Sequence, residues 1–317
     1  MDSKNQEILL VGAGTAGRTH LRVLEDIPAL TVVGVVDPNV RDIVTFRSEE
    51  LPLHNTIRDA GGLCDPDVVV IATPTSTHSR LCHEAKVRLP GAAILVEKPA
   101  ADNWLDAERL LMGNGGGQPV NVALHMAFAP EVMWGAELSV AMAPDLGDPV
   151  AIESWSADPY QANLDSAKAR LSNSWVDSGI NALSVIERFA RVADRISARA
   201  LRDNSWSAFE GKFRCEADGS QVQATVVTSW RVTDPTRSTR IRYSSGAELL
   251  LDHHAVAGYL ILKGAVSDLF GSDGVIPRRD THYRALYKSW LVEGRPMFPD
   301  GTILRLHDLL LRPFGNS

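Results

Sequence analysis

Residues 8–17 read ILLVGAGTAG, an apolar run that passes directly into a glycine-rich turn. Residues 18–27, RTHLRVLEDI, follow with a composition that favours a helix. Gly12, Gly14 and Gly17 stand in the spacing G-x-G-x-x-G between the predicted strand and helix. The first glycine permits a tight turn, the second lets a pyrophosphate approach the backbone, and the third lets helix and strand pack closely. The stretch predicts a dinucleotide-binding fold, although a glycine-rich turn without a ligand has the same pattern.

Four further apolar runs follow, and the first three stop at polar, proline-containing turns. They cover residues 31–36, 68–72, 92–96 and 120–124, and helices are predicted at 77–89 and 102–112. Continuous apolar strands are typical of a parallel sheet with helices on both faces. Ligands of such sheets bind beyond the carboxyl ends of the strands, where Gly12, Asp37, Thr73 and Glu97 fall. We therefore predict an amino-terminal Rossmann domain, a doubly wound parallel sheet.

A carboxylate ends the second run, because Asp37 follows residues 31–36 and lies twenty residues beyond Gly17. There it can accept a hydrogen bond from a ribose 2′-hydroxyl and would repel a 2′-phosphate, which favours NAD over NADP. The N–H groups at the start of the helix, of Thr15, Ala16 and Gly17, are predicted to face the phosphates. Two alternatives stay open: Asp37 serves only the turn before Pro38, or Arg41 reaches a phosphate.

Composition excludes several classes of protein. The chain has 317 residues, enough for two domains, with 44% hydrophobic residues and a net charge of −7. That charge offers no electrostatic reason to expect a nucleic acid or an anionic membrane as partner. Its three cysteines, Cys64, Cys82 and Cys215, form neither a disulfide framework nor a metal pattern. With a polar amino terminus and no apolar run of about 18 residues, we expect a soluble cytoplasmic protein without a metal.

Two further motifs extend the argument. Residues 72–79 read ATPTSTHS after the third run, and residues 96–101 read VEKPAA after the fourth. This order of G-x-G-x-x-G, A-T-P-x-x-x-H and E-K-P resembles the Gfo/Idh/MocA family, named after glucose–fructose oxidoreductase and inositol dehydrogenase. The resemblance covers the first domain, and E-K-P is its most specific element.

The resemblance implies a Rossmann domain at 1–122 and a carboxy-terminal α+β domain at 123–317, with a large open-faced, mostly antiparallel sheet. β-rich segments fit such a sheet, at residues 149–157, 197–202, 221–232 and 239–243. A helix at about 302–311 is expected to pack back on the Rossmann domain. The family also implies a nicotinamide cofactor, a sugar-like substrate between the domains, and a homodimer or homotetramer.

Residues 174–186, SWVDSGINALSVI, raise a separate question. In a helix, Asp177 and Asn181 lie one turn apart on a polar stripe, and most such stripes face water. However, the run D-x-G-I-N-A-L-S resembles aldose 1-dehydrogenases acting on L-arabinose or D-galactose. Most other relatives have a histidine where this chain has Asn181. The resemblance therefore implies that the pair faces substrate.

Roles follow from the resemblance. Lys98 would hydrogen-bond the reacting oxygen and take part in proton transfer, Asp177 would act as base or bind sugar hydroxyls, and Asn181 would hold the oxygen. The remaining candidates are cofactor contacts (Thr73, Pro74, His78, Glu97) and substrate contacts (His125, Trp155). Five of these residues have a structural alternative. Lys98 is then a surface lysine, Glu97 a member of an ion pair, and His78 a helix cap. His125 is then a structural histidine, and Trp155 a core or interface residue. Tyr283 and Tyr287 are predicted to pack at the domain interface.

The function predicted is hydride transfer between a nicotinamide and a sugar-like substrate, in particular oxidation of C1 of an aldose to a lactone. One alternative is an NADPH-dependent reductase of a carbonyl or imine intermediate, and another is a non-catalytic, cofactor-binding regulator. The chain departs from its relatives in residues 170–175, RLSNSW, where a Gly-Gly pair is usual, and in lacking an arginine after the fifth run. Both departures fall near the expected sugar pocket and point to an altered or activated sugar.

Overall fold

The structure is a computed structural model that describes residues 5–40, 42–112, 120–201, 207–217 and 219–312. Arg41, the predicted alternative phosphate contact, lies outside these residues. The chain divides into two compact units. The first comprises Met1–Ala123 and Tyr283–Asp308, and the second Leu124–His282 and Leu309–Ser317.

The first unit contains a parallel sheet of six strands in the order β5-β2-β1-β6-β7-β8. Its strands, with the small hairpin β3-β4, are β1 (Gln6–Val11), β2 (Leu30–Val36), β3 (Thr45–Phe46), β4 (Glu49–Glu50), β5 (Leu53–His54), β6 (Val68–Ile71), β7 (Ala93–Val96) and β8 (Val120–Val122). All four residues of β6 are buried, as expected for a strand covered on both faces. The predicted Rossmann sheet and its five strands are therefore confirmed.

The helices of the chain are α1 (Thr15–Glu25), α2 (Ile57–Gly61), α3 (His78–Arg88), α4 (Trp104–Met112), α5 (Pro130–Ala141), α6 (Ala143–Leu146), α7 (Leu164–Leu171), α8 (Ile180–Ile186), α9 (Arg278–Tyr287) and α10 (Thr302–Leu311). The helices predicted at 77–89 and 102–112 correspond to α3 and α4. Short 3₁₀ turns lie at Thr75–Thr77, His125–Phe128 and Gln161–Asn163, and π-helical turns at Trp175–Gly179 and Lys288–Val292. Among the described residues, no helix has both the length and the apolar character needed to cross a membrane.

The glycine-rich turn between β1 and α1 depends on two close approaches. Gly12 has a φ of +96°, and a Cβ there would lie 2.8 Å from the carbonyl oxygen of Ala72. A Cβ on Gly17 would lie 1.9 Å from the carbonyl oxygen of Gly12, so only glycine lets α1 start this close to β1. Gly14 differs, because a Cβ there would meet nothing within 4 Å. The first and third glycines serve packing, and the second leaves open space.

The second unit contains an eight-stranded sheet in the order β10-β11-β12-β9-β13-β14-β15-β16. Its strands are β9 (Pro149–Ala157), β10 (Arg191–Ala200), β11 (Ala208–Ala217), β12 (Ser220–Ser229), β13 (Thr236–Tyr243), β14 (Glu248–Asp252), β15 (Ala257–Leu262) and β16 (Ala265–Gly271). All neighbours pair antiparallel except β9 and β12. Buried and exposed residues alternate along β11 and β12, because one face is covered. The predicted mostly antiparallel sheet is confirmed.

The segment 174–186 forms the π-helical turn Trp175–Gly179 followed by α8, and it is buried on nearly every side. Trp175 stacks on Phe213 of β11 with 6.1 Å between ring centroids. Gly211 makes room for this ring, because a Cβ there would lie 2.2 Å from it. Within residues 175–186 only Asn181 is partly exposed. The polar stripe is therefore not the solvated back of a helix.

Replacing Gly17 or Gly14 by alanine tests the packing of the glycine-rich turn. We expect Gly17→Ala to lower the free energy of unfolding by roughly 3 kcal/mol, because its Cβ would overlap backbone that has no room to move. Gly14→Ala is the matched control and should cost less than about 1 kcal/mol. Urea unfolding of both variants measures this difference. Equal losses of stability in the two variants would contradict the packing described for the turn.

Candidate functional site

The amino terminus of α1 is open to an anion. Its N-cap, Gly14, offers no side-chain hydrogen bond, and no acidic side chain lies in the first turn. The N–H groups of Thr15, Ala16 and Gly17 therefore lie at a positive helix end beside the space that Gly14 leaves clear. These features fit the pyrophosphate of a dinucleotide.

Asp37 is held in place at the end of β2. One carboxylate oxygen accepts the N–H of Ala13 at 2.9 Å, and the other accepts that of Asn39 at 2.9 Å. The carboxylate therefore stabilises both the glycine-rich turn and the turn at Pro38. Its second lone pairs remain available, and the contact with a ribose hydroxyl stays a prediction.

The loop after β6 is tied to the loop after β7 through His78. Its ring nitrogens lie 2.9 Å from the carbonyl oxygen of Thr73 and 3.1 Å from that of Pro99. Burial lowers the pKa of His78, and the two carbonyls, the charge of Glu97 and a contact with Ala100 offset this only in part. The neutral ring can donate to one carbonyl at a time. The structure thus assigns His78 a positioning role beside Thr73 and Pro74, and direct contact with a cofactor stays a prediction.

Glu97 lies in a buried hydrogen-bond network that the sequence did not reveal. Its Oε1 accepts from His20 Nε2 at 2.9 Å and from the hydroxyl of Tyr283, and its Oε2 accepts the backbone N–H of Lys98 at 3.2 Å. Tyr287 Oη in turn lies 2.7 Å from His20 Nδ1. Burial raises the pKa of Glu97, but His20, Tyr283 and the charge of Lys98 outweigh it and hold the pKa below its ordinary value. Glu97 therefore remains a carboxylate in the interior.

This network differs from the roles predicted for its members. The structure shows Glu97 in structural hydrogen bonds with His20, Tyr283 and the backbone of Lys98, while its contact with a nicotinamide stays a prediction. Tyr283 and Tyr287, predicted at a domain interface, hydrogen-bond within the first unit and are almost fully buried. Their spacing of one helical turn was visible in the sequence. Their hydrogen-bond partners, Glu97 for Tyr283 and His20 for Tyr287, were not, because they lie 186 and 267 residues away.

The turn that carries Lys98 is held from a second side. His307 of α10 accepts the N–H of Ala100 at Nε2, 3.1 Å away, and donates from Nδ1 to the carbonyl of Ile303 at 2.7 Å. Burial lowers the pKa of His307 to about 4, so the ring is neutral and can accept. Among residues 94–101, Lys98 alone is not buried. The first unit therefore presents one ammonium group from a rigid turn at the carboxyl edge of its sheet.

In the second unit, Asp177 lies in a polar cluster beneath the sheet's covered face. Ser178 Oγ lies 3.4 Å from carboxylate oxygens of both Asp177 and Asp158. Asp158, in turn, forms an ion pair with Arg237 of β13. Asp177 is 7% exposed, and burial of a carboxylate is costly unless hydrogen bonds or an opposite charge compensate it.

Asn181 lines a small, solvent-open hollow on the same face. Its polar lining is completed by Ser154, Ser156, Arg237 and His253. The Oδ1 atom of Asn181 is buried and finds no hydrogen-bond donor among the described residues. A buried, unsatisfied amide oxygen costs about 1–3 kcal/mol, which a ligand hydroxyl would recover. The hollow thus has the polarity of a site for a hydroxylated molecule.

The two other predicted substrate contacts have different surroundings. His125 is buried and stacks on His282 with 5.5 Å between centroids and 3.3 Å between the Nδ1 atoms. Burial, then the charges of Arg278 and His253, lower the pKa of His282 well below its ordinary value. Trp155 is in phase with Glu153 along β9, so its side chain, 50% exposed, lies on the outer face of the sheet and not in the hollow. Both contacts with substrate stay predictions.

Sequence analysis missed Arg237 and His253, which line the hollow. His253 connects Thr239, 2.9 Å from its Nε2, with Glu131, 2.7 Å from its Nδ1. The signal for Arg237 was its phase, since it alternates in step with the buried Thr239 rather than with the exposed Arg240. Among the residues that the structure describes, no group of three or more His, Cys, Asp or Glu side chains is arranged to hold a metal ion.

These features describe a Rossmann unit with an open helix terminus and, in the same chain, a second unit with a polar hollow. Comparison with known families agrees: residues 6–112 match the model of the Gfo/Idh/MocA oxidoreductase family, described as having an NAD-binding Rossmann fold. Residues 6–112, about a third of the chain, thus resemble the NAD-binding domain of this family, and the predicted resemblance is confirmed.

Two curated relatives match in part. The chain is 29% identical over 109 residues to 4-carboxy-2-hydroxymuconate-6-semialdehyde dehydrogenase of a Sphingobium species, covering 33% of each chain. It is 31% identical over 90 residues to the rhizopine catabolism protein MocA of Rhizobium meliloti, covering 28% of each. The matched segments thus span about a third or less of these relatives.

Solved structures match along nearly the whole chain. A myo-inositol dehydrogenase from Corynebacterium glutamicum superposes with a TM-score of 0.75 at 20% identity, covering 96% of this chain and 94% of that one. An oxidoreductase from Agrobacterium radiobacter, solved with NAD⁺, L-tartaric acid and magnesium, has a TM-score of 0.76 at 13% identity, with 96% and 94% covered. At these identities the likeness establishes the fold of both units.

The buried carboxylate of Glu97 makes stability depend on pH. We expect Tyr283→Phe to lower the free energy of unfolding by about 2 kcal/mol at pH 7, because a donor to a buried carboxylate is lost. The pKa of Glu97 is lower in the folded protein, so its contribution is present above the unfolded pKa and is lost as pH falls through the folded pKa. The deficit of the variant should thus be full above the unfolded pKa of a glutamate and shrink as the pH falls below it. Urea unfolding across this range measures it.

Tyr243→Phe is the matched control. It removes a buried hydroxyl that lies 2.5 Å from Ser139 Oγ and has no carboxylate partner. Burial raises the pKa of Tyr243, so it does not titrate in acid. Its deficit should stay constant from about pH 3 to 7. A deficit of Tyr283→Phe that is equally constant would contradict a charged Glu97.

Proposed function

We propose that the protein is an NAD-dependent dehydrogenase that oxidises a hydroxyl of a cyclic sugar, with C1 of an aldose, oxidised to a lactone, as the specific reaction. The observation that carries the proposal is Lys98, the one partly exposed side chain in a turn that Glu97, His78 and His307 hold rigidly. A turn built to present one ammonium group at the carboxyl edge of a nucleotide-binding sheet is expected of a catalytic lysine. The dehydrogenases among the relatives support the same reaction class.

The reaction needs a hydride acceptor and a proton acceptor. A bound nicotinamide, held by the start of α1 and by Asp37, supplies the first when present. The hydroxyl hydrogen leaves as a proton while the carbon–oxygen bond becomes double, so a basic group must receive it. Asp177 is the proposed base, and Lys98 hydrogen-bonds the reacting oxygen and assists the transfer. Asn181 supplies an acceptor for a substrate hydroxyl through its unsatisfied Oδ1.

A homodimer or homotetramer is part of the proposal. The face of the second sheet opposite the hollow carries a cross-strand row of Glu153, Arg240, Leu250, Tyr259 and Leu269 in direct register. Leu269 is 66% exposed and Tyr259 37%. Exposed apolar side chains in one row favour association with another chain.

Substitution of the proposed catalytic residues tests the reaction. We expect Lys98→Ala and Asp177→Asn each to lower kcat with the best aldose at least about 100-fold, because proton transfer loses a participant. Lys288→Ala and Asp165→Asn, at exposed positions, are matched controls and should retain wild-type turnover. Nicotinamide absorbance at 340 nm, with aldoses, cyclitols and ketosugars and either cofactor, provides the assay.

Two results would contradict this proposal. One is normal turnover by a folded Lys98→Ala variant. The other is a wild-type protein that reduces a ketosugar or imine with NADPH and oxidises no sugar with NAD, which would establish the reductase alternative. If Lys98 and Asp177 serve one proton transfer, the double variant should lose little more than the worse single variant.

Cofactor preference is tested at Asp37. We expect Asp37→Ala to weaken NAD binding about tenfold or more and to narrow the preference over NADP, because a ribose acceptor is lost and repulsion of the 2′-phosphate disappears. Asp65→Ala is the control, since Asp65 is an exposed acid of the same unit. Titration of both cofactors by nicotinamide fluorescence measures the effect. An unchanged ratio of the two dissociation constants would remove the basis for NAD.

A further inference from the structure

Arg237 is an arginine on the covered face of the second sheet. Along β13 the side chains alternate, with Arg237, Thr239 and Ile241 in one phase and Arg240 in the other. In register, Arg237 stands opposite Ser156 and Thr239 opposite Ser154, and both serines are buried. Arg240 lies instead on the outer face, opposite Glu153. A charged side chain on an inner face is costly and needs a partner.

The ion pair with Asp158 satisfies Arg237 only in part. One terminal nitrogen of Arg237 donates to Asp158 Oδ1, and the other guanidinium N–H groups have no acceptor among the described residues. Its side chain remains 20% exposed, against 8% for Asp158. Since Arg237 lines the hollow beside Asn181, these donors are available to a molecule bound there. A guanidinium has five N–H donors in a planar fork, which matches a carboxylate.

Two further guanidinium groups, those of Arg278 and Arg279, lie near Arg237. Burial, then the charges of Arg237 and Arg279, lower the pKa of Arg278 to about 10, and Asp158 and Glu131 oppose them only in part. Glu131 is already committed, because its Oε1 hydrogen-bonds His253. Asp177 is a third carboxylate nearby, since Ser178 lies within hydrogen-bond distance of both Asp177 and Asp158. Arg237 lines the hollow, so its donors are the feature that a carboxylate bound there would meet.

We propose that the substrate of this protein carries a carboxylate, which Arg237 binds while Asn181 accepts a hydrogen bond from a neighbouring hydroxyl. This inference rests on the proposed dehydrogenase function and specifies its substrate class as a sugar acid rather than a neutral sugar. A neutral sugar would leave the remaining N–H groups of Arg237 without a charged partner in a half-enclosed hollow. A carboxylate in the plane of the guanidinium supplies both charge and geometry.

Matched pairs of sugars test the inference. D-Galacturonate and D-galactose, and D-glucuronate and D-glucose, differ only in the carboxylate at C6. For the wild type we expect kcat/KM at least tenfold higher for the uronate of a pair, with the difference in KM. Arg237→Met should lower kcat/KM for the uronate roughly 10- to 100-fold and leave the neutral sugar within about threefold, because a charge-assisted hydrogen bond is lost. Arg237→Lys should recover part of the preference.

Arg240→Met is the control, since it removes the same charge from the outer face of the same strand and should leave the preference unchanged. Equilibrium binding of D-galacturonate and D-galactose, measured by calorimetry on the full chain, separates this inference from the proposed reaction. If the wild type binds the uronate, Arg237→Met abolishes that binding, and no sugar is turned over, the proposed dehydrogenase reaction is overturned and the inference is supported. Three results would overturn the inference. The first is a wild-type kcat/KM for the neutral sugar that equals or exceeds that for the uronate. The second is an equal loss of kcat/KM for both sugars in Arg237→Met, and the third is no binding of the uronate.

Discussion

The first unit depends on keeping one carboxylate ionised in its interior. The carboxylate of Glu97, at the end of β7, is removed from water when the chain folds. This desolvation is unfavourable unless hydrogen-bond donors satisfy the carboxylate oxygens. His20 from α1, Tyr283 from α9 and the backbone of Lys98 supply those donors. Because three separate segments converge on one side chain, the helix that follows the glycine-rich turn and the turn that carries Lys98 are coupled. A shift of either would leave a buried charge unpaired.

Two buried histidines hold the turn that contains Lys98 in place by hydrogen bonds to the backbone. His78 joins the loops after β6 and β7, and His307 receives the N–H of Ala100. Burial keeps both rings neutral, as the lowered pKa values indicate, so each can bond backbone groups without bringing in a charge. Lys98 is thereby the partly exposed residue of an otherwise buried turn. This arrangement is expected when a side chain must be held at a fixed position.

The second unit buries a cluster of polar groups beneath the covered face of its sheet. The ring of Trp175 over Gly211 anchors the π-helical turn against β11. That turn buries Asp177, and the following helix brings Asn181 to the hollow. Arg237 and Asp158 then form an ion pair at the sheet's inner face. Each of these groups costs free energy to bury, and together they concentrate the polarity of the covered face in one place.

The sequence by itself determined the Rossmann sheet, its five main strands and the glycine-rich turn, and it indicated the resemblance of residues 6–112 to a known family. These features depend on local patterns: apolar runs of strand length, glycines at fixed spacing, and E-K-P after the fourth run. It also indicated Lys98, Asp177 and Asn181 through a resemblance. Only the tertiary structure decided that Glu97 is bonded to His20 and Tyr283, that the stripe at 175–186 is buried, and that Arg237 lies beside Asn181. The physical reason is that hydrogen bonds and ion pairs between residues tens to hundreds of positions apart depend on how the chain folds back, and no local period encodes them.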